Sequence, residues 1–249
     1  MKLFILAAGK GERLGPLTKN TPKSLMDFGD GTTILERQID SAVQSGMFSE
    51  IVIITGYKAE QIEAKIKDYK PKVRLKTVYN PFFEITNNLV SLWVAAGEMG
   101  DEDFVITNGD NIYFGDVFRA IANETENVIQ LTVDHKPQYD DDDMKVSRDA
   151  SGAITRVHKG IENREASAES VGLALVKGPR CRRLFVNKIL QLVRNKEYLN
   201  RFWLEIFNSL IEDGVVISSA KIEPDDWQEV DFHPDVEVMK SIILKRHHE

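Results

Sequence analysis

The chain predicts an α/β fold, a mixed and mostly parallel sheet flanked by helices. Two observations predict it. Short apolar runs alternate with amphipathic stretches through the first half, the pattern of β-α-β-α units. A glycine-rich loop, Gly56 and Asp110 each follow the end of an apolar run, where open α/β sheets bind their ligands. The length, 249 residues, is enough for one α/β domain with a sizeable core.

The elements follow in order. Leu3–Leu6 is a strand. Residues 8 to about 31 form one long loop, because Pro16 and Pro22 are tolerated only in the first turn of a helix. Thr33–Gln44 carries Ile34, Leu35, Ile39 and Val43 at helical spacing and ends at Gly46. Ile51–Ile54 is a buried strand, Ala59–Tyr69 a helix with Ile62 and Ile66 on one face, and Val73–Tyr79 a strand. Thr86–Met99 reads as a helix and Phe104–Thr107 as a strand running into Asn108-Gly109-Asp110. Beyond these the pattern is more mixed. Val128–Val133, Met144–Val146, Ile154–Val157 and Val171–Val176 are strands, some antiparallel. Helices cover Arg180–Arg194 and Phe202–Asp213, Val215–Ser219 and Trp227–Val230 are late strands, and Pro234–Leu244 closes the chain as a helix. The whole chain, 1–249, is expected to be one domain, with a regular part over 1–133 and a more mixed part over 134–249.

The loop after the first strand carries the strongest signal. Leu6-Ala7-Ala8-Gly9-Lys10-Gly11-Glu12-Arg13-Leu14 leads to Gly15-Pro16 and then Thr21-Pro22-Lys23-Ser24. Glycine lets backbone N–H groups approach a phosphate, and cations neutralise it. The dinucleotide fingerprint G-x-G-x-x-G is absent, since Leu14 stands at its third glycine and no helix opens there. The G-x-x-x-x-G-K-[ST] pattern is absent too, because Pro22 precedes Lys23-Ser24.

Composition bounds the partners. A net charge of −7 argues against nucleic acid or an anionic membrane as partner, both of which need a basic face. One cysteine, Cys181, excludes a disulfide framework or a thiolate-rich metal site; Arg180, Arg182 and Arg183 around it could lower its pKa. No apolar run approaches about 18 residues, and the start lacks a signal-peptide core, so a cytoplasmic protein is expected. His135, His158 and His233 are not at metal-ligand spacing, and His247-His248 reads as tail. The run Asp140–Asp143 reads as a solvated loop tip.

Phosphoryl chemistry on a nucleotide normally uses Mg²⁺, held by one or two carboxylates and phosphate oxygens. Asp110 and Asp231 each end a predicted strand, where the sheet points them at the triphosphate.

The string L-A-A-G-x-G-x-R-L followed by T-x-x-x-P-K-S-L resembles the signature of the sugar-phosphate and phosphocholine nucleotidylyltransferases, which have a Rossmann-like fold of nucleotide-diphospho-sugar transferase type. The resemblance extends to Gly56-Tyr57, to Asn87-Asn88-Leu89-Val90-Ser91-Leu92, to Asp110 and to Glu229-Val230-Asp231. It implies that Leu6, Ala7, Ala8, Gly9, Lys10, Gly11, Glu12 and Gly56 shape the nucleotide site. Arg13 and Lys23 would hold the charge of a triphosphate attacked at its α-phosphorus, and Asp110 and Asp231 would hold Mg²⁺. Asn88 and Ser91 share a helix face and would read the base, while Thr86 or Asn87 caps that helix. Lys159, in Val157-His158-Lys159-Gly160, resembles the family lysine for the acceptor's phosphate; Lys145 looks like a second, with Glu169 and Trp227 as further acceptor contacts.

The implied reaction joins CMP from CTP to a small phosphorylated or phosphonate alcohol. The choline enzymes surround their quaternary amine with aromatic rings. Here Tyr139 is followed by four aspartates, which suit other acceptors, such as an amine met by carboxylates or an inositol or sugar phosphate. A sugar-1-phosphate nucleotidylyltransferase using UTP, dTTP or GTP is the nearest alternative. A silent nucleotide-binding regulator would lack Arg13, Lys23 or an aspartate, and none is missing.

Overall fold

A computed structural model describes residues 1–69 and 71–246; His247 and His248 lie outside the described residues. Strand β1 (Lys2–Ala7) leads into the loop, and helix α1 (Ile34–Ser45) follows it. That helix begins in a capping box: Glu36 N–H donates to the Thr33 hydroxyl, and Thr33 N–H to the Glu36 carboxylate. It ends at Gly46, whose left-handed backbone suits glycine. Then come β2 (Glu50–Thr55), α2 (Ala59–Asp68), β3 (Arg74–Tyr79), α3 (Asn88–Val94), β4 (Phe104–Asn108), β5 (Asn111–Tyr113) and α4 (Val117–Ala120). The second half contributes β6 (Val128–Asp134), β7 (Lys145–Arg148), β8 (Ile154–Val157), β9 (Ala168–Lys177), α5 (Pro179–Leu192), α6 (Glu205–Glu212), β10 (Ser218–Lys221), β11 (Trp227–Glu229) and α7 (His233–Arg246).

The main sheet runs β10-β6-β9-β4-β1-β2-β3. Strands β1, β2, β3 and β4 are mutually parallel, as are β6 and β10, while β9 runs antiparallel between β4 and β6. The hairpin β7–β8 extends from the start of β9. The expected mixed sheet is therefore present, and antiparallel pairing of β9 with β4, β6 and β7, and of β7 with β8, supplies its mixed character.

Both faces of the sheet are buried, so its central strands read as continuous apolar runs. Phe4, Val52, Ile54, Phe104 and Ile106 pack with Leu89 and Leu92 of α3, Phe185 of α5 and Phe207 of α6. On the other face Leu3, Ile5, Ile51 and Ile53 meet Leu35 and Ile39 of α1, Ile62 of α2 and Phe118 of α4. A third, smaller cluster joins Leu14, Met26 and Phe28 of the loop to Ile112 of β5, Val230, and Val236, Met239 and Ile243 of α7.

The structure revises four sequence expectations. The loop over 8–31 is not featureless: 3₁₀ turns form over Glu12–Thr18, kinked at Gly15, and over Lys23–Leu25. The helix expected over Thr86–Met99 stops at Val94 and continues only as a 3₁₀ turn, Ala96–Glu98. The strand expected at Val215–Ser219 pairs later, from Ser218, because Val216 is exposed and Ile217 is used in a bridge to Ile154. Cys181 is buried, and burial raises its thiol pKa against the lowering effect of Arg180.

The chain leaves β1 for β2 and β3 on one side, then crosses back to β4 on the other. The carboxyl ends of β1 and β4 therefore flank the point where the winding reverses, the place for a ligand crevice in this architecture.

Candidate active site

Asp110 and Asp231 are brought together by a feature too short to read from the sequence. Strands β5 and β11 pair antiparallel, with Asn111 opposite Glu229 and Val230 N–H donating to the Asp110 carbonyl. The turn carrying Asp110 is fixed from several sides. Buried Gln38 donates to the carbonyls of Asn108 and Asn111, at 2.8 Å each. Asn111 donates to the Val171 carbonyl of β9 at 2.7 Å. Gly109 N–H donates to the Leu6 carbonyl, and a Cβ on Gly109 would lie 2.4 Å from that oxygen.

Two cations of the loop meet this pair. Lys23 Nζ lies 2.7 Å from Asp110 Oδ2 and 2.9 Å from Asp231 Oδ1. The 3₁₀ turn after Pro22 and the burial of the Lys23 side chain hold it there. Burial alone would lower the Lys23 pKa, but Asp110 and Asp231 together outweigh it and raise it. Arg13 Nη1 bonds the other oxygen of Asp231 and lies 2.6 Å from Asp142 Oδ2, with its guanidinium over the Phe232 ring. Leu14, buried in the third cluster, anchors the turn that presents Arg13.

Arg13, Asp110 and Asp231 line a cleft of about 590 Å³; Lys23, held by the two aspartates, does not line it. Leu6, Ala8 and Gly9 form its floor beside Asn108, Gly109 and Asp110. Among the described residues no hydrogen bond takes the backbone N–H of Gly9, Lys10 or Gly11. Gly11 is left-handed, at φ 64°, a backbone conformation that suits glycine. The Lys10 side chain pairs with Glu84, Glu12 is in the first turn of the following 3₁₀ segment, and Ala7 is buried within β1; none of the three lines the cleft. Gly56 sits beneath the floor, where a Cβ would lie 2.7 Å from the Ala8 carbonyl.

Asn88 and Ser91 do line the cleft. Asn88 Oδ1 already accepts Trp203 N–H, and Ser91 Oγ accepts the Asn80 amide. The cap of α3 is Asn87, while the Thr86 hydroxyl donates back to the Phe82 carbonyl.

Lys159, Glu169 and Trp227 also line the cleft, and Lys145 does not. Lys145 is buried behind it, its Nζ donating to the Lys159 carbonyl at 2.9 Å. Trp227 Nε1 donates to buried Asp134 at 2.9 Å. Glu169 accepts Lys136 Nζ at 2.7 Å through one oxygen, while the other is buried without a partner. Burial pushes its carboxyl up to about 7, against the opposing pull of Lys136.

The acidic run is exposed at Asp140, Asp141 and Asp142, as a solvated tip would be, but two of its carboxylates are paired. Asp142 bridges Arg13 and Lys159, and Asp143 holds Lys136 at 3.1 Å and accepts Asp140 N–H at 2.8 Å. These partners are remote in sequence, which hid the bridge. Sequence reading also missed Asp134, Lys136, Glu229 and Trp203, which line the same cleft. Only Glu229, in the E-V-D segment, carried a signal. Burial, then the charges of Asp110 and Asp231, push its carboxyl above the usual carboxylate range.

Asp110 and Asp231 suit Mg²⁺. Asp110 Oδ1 is buried with no hydrogen-bond partner, and both side chains offer hard oxygen donors on one side of the cleft. Among the described residues no group of three or more His, Cys, Asp or Glu forms a ready-made metal cage. Mg²⁺ does not require one, since phosphate oxygens and water complete its shell.

The chain is similar to known proteins in sequence and in fold. Residues 2–145 match the family model described as nucleotidyl transferase. Over 120 residues the chain is 37% identical to the choline-phosphate cytidylyltransferase of Streptococcus pneumoniae, a match covering 48% of each chain. It is 25% identical to the CTP:phosphoglutamine cytidylyltransferase of Campylobacter jejuni, over 96% of this chain and 98% of that one. Among solved structures, the CTP:phosphocholine cytidylyltransferase from Streptococcus pneumoniae superposes with a TM-score of 0.76 at 24% identity, covering 97% of this chain and 98% of that one.

Proposed function

The chain belongs to the nucleotidyl transferase family, and we propose that it transfers CMP from CTP to a small phosphorylated or phosphonate alcohol, releasing pyrophosphate. One observation carries the reading: Lys23 Nζ is shared by Asp110 and Asp231 where the sheet's winding reverses, beside loop N–H groups left without protein partners. Cytidylyl transfer by similar proteins named for CTP supports the choice of nucleotide.

In this reading the triphosphate lies along the N–H groups of Gly9 to Gly11. Arg13 and Lys23 draw its negative charge, and Asn88 and Ser91 stand beside the base. Residues 1–133 form the nucleotide part and residues 134–249 the acceptor part. Lys159 holds the acceptor's phosphate, with Lys145 bracing the Lys159 backbone from behind, and Glu169 and Trp227 contact the rest of the acceptor. An oxygen of that phosphate attacks the α-phosphorus in line. The new P–O bond forms as the bond to the β-phosphate oxygen breaks, and pyrophosphate leaves with the electron pair. The nucleophile is already anionic, so no general base is needed. Catalysis is then alignment and charge neutralisation. Mg²⁺ held by Asp110 and Asp231 would neutralise phosphate charge when bound. No helix of the described residues is long and apolar enough to cross a membrane, and the proposed substrates are small and water-soluble.

The test is pyrophosphate release with Mg²⁺, each nucleoside triphosphate and a panel of phospho-alcohols, phosphonates and sugar phosphates. Release is expected with CTP and a phosphorylated or phosphonate alcohol. Release only with UTP, dTTP or GTP and a sugar phosphate would overturn both the base and the acceptor. No release with any pair at high enzyme would overturn the reaction.

A further inference from the structure

Asp142 is one of the charged groups of the cleft that the proposed reaction does not use. Its carboxylate lies between two cations from distant segments: Arg13 Nη1 at 2.6 Å from one oxygen, and Lys159 Nζ on the other. An aromatic ring backs each cation, Phe232 at 5.2 Å from the Arg13 guanidinium and Phe202 at 5.5 Å from Lys159 Nζ. Two charge-assisted donors converging on neighbouring oxygens of one anion is how proteins hold a phosphate. Lys159, and Arg13 after it, hold the Asp142 carboxyl below the usual carboxylate range, so it is an anion at neutral pH.

We infer that Asp142 is the resident anion of the acceptor-phosphate subsite and sets its selectivity for doubly charged phosphates. The inference rests on the proposed reading in one respect, that Lys159 receives the acceptor's phosphate. The loop allows the exchange. Asp143 is anchored through Lys136 and the Asp140 N–H, whereas the Asp142 side chain is 46% exposed and can leave without disturbing the core. A carboxylate offers one charge and two oxygens. A phosphomonoester near pH 7 offers close to two charges and three oxygens. Exchange for a monoester therefore gains charge and contacts, while a phosphodiester or carboxylate gains neither. Asp142 also keeps Arg13 and Lys159 facing one another before the acceptor arrives.

The experiment is titration of the whole protein with inorganic phosphate and with dimethyl phosphate, beside acceptor KM. Asp142→Ala and Asp142→Asn are expected to bind inorganic phosphate about threefold to tenfold more tightly than the unmodified protein, as two partly exposed ion pairs allow. Acceptor KM falls by the same factor, and dimethyl phosphate binding becomes measurable only in these variants. Asp141→Asn, with the same change in net charge, leaves all three unchanged. Adding Lys159→Ala to either variant removes the gain. Phosphate binding that is unchanged or weaker in both variants, or a gain that survives Lys159→Ala, overturns the inference. The phosphate titration needs no turnover, so a protein that releases no pyrophosphate would fail the reaction and still report on this subsite.

Discussion

On the proposed nucleotide side of the cleft, backbone and buried amides hold the polar groups in place. Gln38 and Asn111 clamp the turn carrying Asp110, Leu6 binds the N–H of Gly109, and short 3₁₀ turns present Arg13 and Lys23. On the proposed acceptor side, charged side chains hold one another: Lys136 with Asp143 and Glu169, and Lys159 with Asp142. The first wall presents its charges before any ligand arrives, which is what electrostatic catalysis requires. The second has partners that a ligand can exchange, which suits a site that must recognise a particular acceptor.

Removing a charge from the fixed wall is the strongest way to break this contrast. Asp110→Asn keeps the shape and is expected to lower turnover at saturating substrate about 10²- to 10³-fold, with the unfolding midpoint little changed. Steady-state kinetics beside a thermal melt checks it, and loss of folding with activity would show that the aspartate holds the turn. Gly109→Ala tests the clamp itself. Its Cβ would meet the Leu6 carbonyl at 2.4 Å, so the turn must shift, at a cost of about 1–3 kcal/mol in denaturant unfolding.

The exchangeable wall is sharpened by pH. Glu169 titrates at about 7 in the fold, raised by burial from its ordinary value. A raised carboxyl pKa means that stability present below about pH 4.5 is lost as pH rises through about 7. Glu169→Gln escapes that loss, so its stability relative to the unmodified protein should grow over this window, by on the order of 2 kcal/mol. A difference that stays flat with pH would place the group in water. The smallest effect belongs to Lys10→Ala. The proposed site uses only the backbone of residue 10, while its side chain pairs with Glu84 outside the cleft. CTP KM should change by less than about threefold, as for an exposed pair.

The same contrast explains what was legible in the sequence. Strands β1, β2 and β4 are buried on both faces and read as apolar runs, and α1 announces itself by its Thr33–Glu36 box and Gly46. Arg13, Lys23, Asp110 and Asp231 were legible because each sits in a short string with its neighbours. Their juxtaposition was not, because it depends on three-residue β5 pairing with β11 across more than a hundred residues. The acceptor wall was the least legible. Asp142 finds Arg13 from 129 residues away, and nothing in a run of four aspartates shows which one pairs with it. Strand β10 carries Ser218-Ser219-Ala220-Lys221, whose sheet position comes from pairing with β6 and not from an apolar pattern.

The most direct test of the central claim is ³¹P NMR of the protein with Mg²⁺, CTP and the acceptor that the release panel selects. The account predicts a pyrophosphate signal together with the two coupled resonances of a new P–O–P linkage, both absent with Asp110→Asn. CMP with pyrophosphate or orthophosphate and no new linkage would mean hydrolysis in place of transfer, and would contradict the account.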